Sequence, residues 1–292
     1  ALPRLLRIVI TVALWGAVVF VNLWGMQYRR PPILERLGWE DPGATTVEEL
    51  ERVGLLAAYQ ARIAYRQALW AEDLGRASEV EPMATLYPAV ERGYAAVAAE
   101  APALGASFAW PRPSPKPLRS TFALVRFGLL GFYFPFTGEA SLTIDAPGQQ
   151  VPHAAAHEMA HQRGIAREDE ANFMGFWVCI RSDDAYVRYS GWLFLWKQVY
   201  YELSDQREEA RARSMVRAVG PGPLRDMEEA WKWWHAGEGR MRELGQAVND
   251  TYLKANGQAG IESYSQSLRL MLARARRGGA DWVLPADPAA EN

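Results

Sequence analysis

The pentapeptide His157-Glu158-Met159-Ala160-His161 holds the residues of this chain best suited to chemistry. Two histidines four apart on a helix point the same way. That spacing lets both imidazoles reach one Zn²⁺ at ~2.0–2.1 Å, with the intervening Glu158 placed to act on a metal-bound water. The chain has four histidines. By composition alone, such a motif would arise in roughly a few chains per thousand. The same letters on a plain surface helix are the bland alternative, and their rarity argues for a site.

A catalytic zinc takes three protein ligands and keeps one position open. With one cysteine, Cys179, the chain cannot build a Cys₂His₂ or Cys₄ centre, so the third ligand is expected to be a carboxylate. After the motif, Gly164 can end the helix and reverse the chain. Glu168, Asp169 and Glu170 then open the next helix, where the helix dipole alone would favour acidic residues. On that helix Glu168, Asn172, Gly175 and Cys179 share one face, whereas Glu170 shares a stripe with the core-like Met174 and Trp177. Glu168 is therefore the expected ligand and Glu170 the alternative. Asn172, one turn from Glu168, would orient a ligating histidine through its free ring nitrogen. His153 lies four residues before His157, but beside Pro152 it falls in the first turn, at the rim. His235, Tyr252 and Tyr264 are candidate oxyanion donors, although packing explains each of them equally simply.

These parts imply metal-assisted hydrolysis. Zn²⁺ would lower the pKa of a bound water toward ~7 and polarise a carbonyl. Glu158 would act as general base and pass the proton to the leaving amine. An extended peptide could pair with the edge of Glu139–Ile144 by strand addition.

Several elements must hold this site. Ile8 to Tyr28 is an uncharged, apolar run of about 21 residues, long enough to cross ~30 Å of hydrocarbon, so residues 8–28 are expected to contact the lipid bilayer. Arginines flank it on both sides, so charge does not fix its orientation. Thr46-Val47-Glu48-Glu49 is a capping box opening a helix to about Leu74. A second helix is expected from Tyr87 to Glu100, with Pro88 in its first turn. Trp110 to Pro117 reads as a stiff connector. Phe122 to Ile144 reads as a buried or interfacial loop ending in the alternating strand Ala140–Ile144. Further helices are expected over Glu168–Ile180, Gly191–Ser204, Leu224–Ala236, Met241–Ala255 and Ile261–Arg276, with a clean break at Gly220-Pro221-Gly222-Pro223. The expected fold is mainly α: an N-terminal transmembrane helix, then a helical zincin-like domain with a small β element beside the motif helix. The divisions are 1–30 (anchor), 31–117 (helical scaffold and connector), 118–277 (metallopeptidase domain) and 278–292 (disordered tail).

The chain is 49% hydrophobic with a formal net charge of −2, so it has ample apolar residues for a core and no basic field for nucleic acid. Twelve tryptophans suit a membrane interface or a binding surface.

GFYFPFTGEASLTI, HEMAHQRGIAREDEANF, YSGW and VNDTYLKANGQAGIESY together resemble a bacterial membrane protein family, domain of unknown function 3810. The resemblance runs from the anchor onward. It implies a zinc metallopeptidase with amino-terminal membrane spans, in the bacterial cell membrane, its catalytic domain outside the cytoplasm. Glu168-Asp169-Glu170-Ala171-Asn172 also resembles the E-x-x-A-D block of membrane zinc proteases of the CAAX prenyl endopeptidase and heat-shock type. There the first Glu is a ligand and the Asp supports a histidine, which implies Glu168 as ligand and Asn172 as its helper. Asn in place of Asp, and six residues between His161 and Glu168, depart from that pattern. The chain thus reads as a membrane-anchored zinc metalloendopeptidase acting on a protein or peptide near the membrane. The rival readings are a zinc amidohydrolase of cell-wall crosslinks and a non-enzymatic tethered assembly protein with a structural or vestigial metal.

Overall fold

The computed structural model describes residues 3–69, 83–118, 129–143, 146–236, 263–279 and 282–283, with isolated positions between 239 and 254. The fold is mainly α with one small sheet.

Helix α1 spans Arg4–Leu23, and none of its residues is buried. It is the one helix among the described residues long and apolar enough to cross a membrane. It starts before Ile8 and ends before Tyr28, so the expected span is corrected at both ends: Gly25–Arg29 forms a tight 3₁₀ turn instead. A short α2, Ile33–Leu37, ends at Gly38, whose φ of 63° suits a residue without a Cβ.

Helix α3, Val47–Leu69, starts as the capping box predicts, with Thr46 Oγ1 accepting from the Glu49 N–H at 3.2 Å. The expected end at Leu74 lies outside the described residues. Helix α4, Met83–Glu100, begins before Tyr87, and Pro88 is therefore inside the helix rather than in its first turn.

The sheet has three strands: β1 (Lys116–Leu118), β2 (Gly131–Phe134) and β3 (Glu139–Thr143), in the order β1-β3-β2. β1 runs parallel to β3 and β2 antiparallel to it, with Gly131 opposite Leu142 and Phe134 opposite Glu139. This corrects three expectations. The connector's end is a strand, and part of the expected loop is a strand too. β3 is central, flanked on both sides, so it offers no edge to a peptide. β2 was hard to see because Gly131 and Tyr133 face inward between Phe132 and Phe134, leaving no apolar–polar alternation.

Helix α5, Val151–Gln162, carries the motif, and α6, Glu168–Ile180, follows after a five-residue turn. Every residue of α6 from Glu170 to Ile180 is buried, as expected of a helix apolar all round. Helix α7, Ala185–Asp205, begins at an Asp184 cap that accepts from the Tyr186 and Val187 N–H groups. The expected start at Gly191 is corrected: Gly191 is a close-packing position, where a Cβ would stand 2.6 Å from Cys179 Cβ. Helix α8, Glu209–Val219, was not anticipated. Gly220 then breaks the chain, and α9, Pro221–Ala236, starts at once, so the break is narrower than expected. Helix α10, Ser263–Arg277, is the last described helix, and beyond it Trp282 is buried edge-on against Phe176 and Trp192. Most of the expected helix 241–255 lies outside the described residues.

Candidate metal centre

The motif helix is held from below and at its end. The buried Tyr94 hydroxyl donates to the Ala156 carbonyl at 2.5 Å. At the C-terminus, the Gly164 N–H donates to His161 O (2.9 Å) and the Ile165 N–H to Ala160 O (3.2 Å). These are the paired bonds of a Schellman cap, and Gly164 takes its left-handed residue at φ 80°. Arg163 fixes the cap: its guanidinium stacks on Tyr94, donates to Glu91 Oε2 at 2.7 Å, and reaches the Phe108, Met159 and Trp110 carbonyls.

The cap also orients a candidate ligand. His161 Nδ1 lies 2.6 Å from the Ile165 carbonyl, and His157 Nδ1 lies 3.0 Å from Asn172 Oδ1. Both oxygens accept, so each Nδ1 donates, and in the neutral imidazole Nε2 then presents a lone pair. The two Nε2 atoms are 3.1 Å apart, and Glu168 oxygens sit 3.2 Å from His157 Nε2 and 3.5 Å from His161 Nε2. Two ring nitrogens and a carboxylate therefore converge, three atoms able to ligate a cation when both imidazoles are neutral. Their separations match the edge of roughly 3.3 Å expected between tetrahedral ligands at ~2.05 Å from zinc. His157, His161 and Glu168 could hold a metal ion.

Burial opposes charge at His157, but the Glu168 carboxylate outweighs it and raises the pKa. Burial drives His161 down to about 4. Burial likewise opposes charge on Glu168, yet the two histidines outweigh it and lower its pKa. The donor set therefore asks for a positive partner. Glu158 is buried, its Oε2 has no hydrogen-bond partner among the described residues, and burial pushes its pKa up to about 8.

Glu170, the alternative ligand, is placed elsewhere. Its Oε1 accepts the Ile33 N–H at 2.8 Å, capping α2 just after the apolar helix. His153 is buried, with Nε2 against the Asn172 carbonyl at 3.2 Å and its ring stacked 3.6 Å from Phe194. Gly175 permits this, since a Cβ there would stand 3.0 Å from His153 Nε2. His235 is not brought to the centre: it stacks on Trp231 and lines a neighbouring cavity. Tyr252 lies outside the described residues. Tyr264 falls on α10, with its side chain outside them.

The donor set opens into a cleft of about 750 Å³. β2 lines one wall, and Gly131 lets it close in, since a Cβ there would stand 3.0 Å from Glu158 Cγ. Phe20, Trp24 and Tyr28 line the cleft as well, and the Trp24 ring lies edge-on to His161 at 5.5 Å. The sequence reading missed Trp24, because it sat inside an apolar run explained by lipid. It also missed Lys197 and Tyr201, which line the cleft from α7.

The fold and site thus define a mainly helical protein with a His-His-Glu donor cluster between two buried helices and a small sheet. A family model, described as a protein of unknown function (DUF3810), matches residues 1–272, and the chain belongs to that family. Comparison with curated proteins gave no match, nor did comparison with solved structures.

Proposed function

We propose that the chain is a zinc-dependent peptidase, tethered to a bacterial membrane by Arg4–Leu23, that hydrolyses protein or peptide substrates close to the bilayer. One observation carries the reading: two imidazole Nε2 atoms and the Glu168 carboxylate converge at 3.1–3.5 Å beside the buried Glu158, whose Oε2 has no hydrogen-bond partner among the described residues. A structural zinc site needs four protein ligands, whereas three leave room for a reacting group. When bound, zinc supplies Lewis acidity toward a carbonyl and acidifies water.

The protein's own residues do the rest. Asn172 and the Ile165 carbonyl hold the two imidazoles in the tautomer that presents Nε2. In its ionised form, which a cation at the neighbouring donor cluster would favour against burial, Glu158 would accept the proton of the attacking water through Oε2 and return it to the leaving amine. Among the described residues β2 has a strand on one side only, so its other edge can hold an extended substrate by backbone pairing.

The test is hydrolysis of a peptide library by the purified, zinc-loaded chain beside Glu158→Gln. The proposal expects cleavage by wild type and a loss of at least about a hundredfold in the variant at equal zinc content. Equal cleavage by both would contradict it. Cleavage of cell-wall crosslinks but not of peptides would keep the metal and change the substrate.

A further inference from the structure

Beyond the donor cluster the cleft continues into a second cavity of about 400 Å³. The two share lining residues, among them His153, Phe194, Lys197, Tyr201 and Trp234. On α7, Ser190, Phe194, Lys197 and Tyr201 recur at helical spacing and so present one face to the cavity. Leu193, Met227, Trp231 and Trp234 give it apolar and aromatic walls, and Gln149, Gln150 and His235 add polar groups.

Lys197 stands out in this setting. Its ammonium lies 5.4 Å from the centre of the Phe194 ring, and no carboxylate pairs with it among the described residues. Two histidines, His153 and His235, line the same cavity, and burial lowers the His153 pKa and keeps it neutral. A partly buried lysine without a counter-ion is costly. It is better placed as one half of an ion pair whose other half comes from a ligand. The volume is that of a small-ligand pocket, with room for a whole terminal residue, and the aromatic walls suit an apolar group.

We infer that this cavity is a substrate-binding pocket for a carboxylate-bearing apolar or aromatic residue, with Lys197 pairing the carboxylate beside the metal centre. In naming a peptide as the ligand, the inference rests on the peptidase reading. The carboxylate could be the peptide's own C-terminus or an acidic side chain next to the apolar residue. Both present the same chemistry to Lys197.

The test is binding of small probes to the full chain in zwitterionic nanodiscs, read by tryptophan fluorescence after removal of metal by chelation. Chelation keeps carboxylates from binding zinc, so a failed metal reading leaves this result intact. The probes are N-acetyl-phenylalanine, its amide, and N-acetyl-glutamyl-phenylalanine amide. Wild type should bind at least one acid about tenfold more tightly than the uncharged amide. Preference for the first acid identifies a C-terminal carboxylate, and preference for the second an acidic side chain. Lys197→Met should abolish the preference, and Lys197→Arg should keep it. Equal binding of acids and amide by wild type would overturn the inference without any variant. So would an unchanged preference in a folded Lys197→Met.

Discussion

At the scale of single residues, the candidate centre is made by what sits behind the ligands. Asn172 Oδ1 and the Ile165 carbonyl each fix an imidazole through Nδ1, so the two Nε2 atoms both face Glu168. Asn172→Ala should therefore weaken zinc binding by about 10–100-fold while the far-ultraviolet circular dichroism stays unchanged, as measured by competition with a chromophoric chelator. An unchanged affinity would remove Asn172 from the site. Arg163 is a different case. Its side chain is fully buried against Glu91 and three carbonyls, so Arg163→Ala leaves those carbonyls short of a donor and Glu91 with only the Arg112 N–H and its partial solvent exposure. A loss of about 3–5 kcal/mol is expected in denaturant melts. The face of α6 that carries Glu168 and Asn172 was legible in the sequence, since 3.6-residue periodicity puts them one turn apart. Glu170's partner was not, because Ile33 lies far away in sequence, and only folding brings its N–H to the carboxylate.

Among the elements, helices were more legible than the sheet. Helices announce themselves by periodicity and caps, as Thr46 and Gly164 do. Glycine misled where it served packing: Gly191 looked like a boundary and is a contact between helices. Of the sheet, the alternation over Ala140–Ile144 revealed β3, but β1 and β2 stayed hidden because β1 pairs in parallel with a strand more than twenty residues away and β2 lacks alternation. Gly131 gives the sheet its own test. A Cβ there would meet Ser141 O at 2.6 Å, a backbone atom with little room to yield. Gly131→Ala should cost about 1–3 kcal/mol and disturb Glu158 across the cleft. A variant as stable and as active as wild type would mean that β2 does not close on the motif helix. Elsewhere, Arg276 on α10 clips Glu49 at the start of α3 through two bonds of 2.7 Å. The hydrogen bond from Arg276 holds the Glu49 pKa below its ordinary 4.5, although slight burial works against it. The folded pKa is thus depressed, so this stabilisation is present above about pH 4.5 and lost as pH falls through the folded value. Because Arg276 is exposed, the contribution should stay below about 1 kcal/mol. Glu49→Gln should flatten stability against pH in that range, and an unaltered profile would remove the clip.

Across the whole molecule, the apolar helix and the donor cluster meet. Trp24 and Tyr28, just past the end of α1, line the same cleft as His157 and His161. A substrate held there lies beside the segment that would leave the bilayer, which is why a membrane-proximal substrate fits the proposed activity. A chain beginning at Trp24 should move from the membrane pellet to the soluble fraction on carbonate extraction and keep its zinc. Loss of zinc on that truncation would instead make α1 part of the centre. Whether His157, His161 and Glu168 hold one metal is decided by elemental mass spectrometry of bound metal per chain. About one zinc is expected in wild type and in Glu170→Ala, and none in Glu168→Ala. Zinc lost only with Glu170→Ala, or no zinc in wild type even after zinc is restored, would contradict that ligand set.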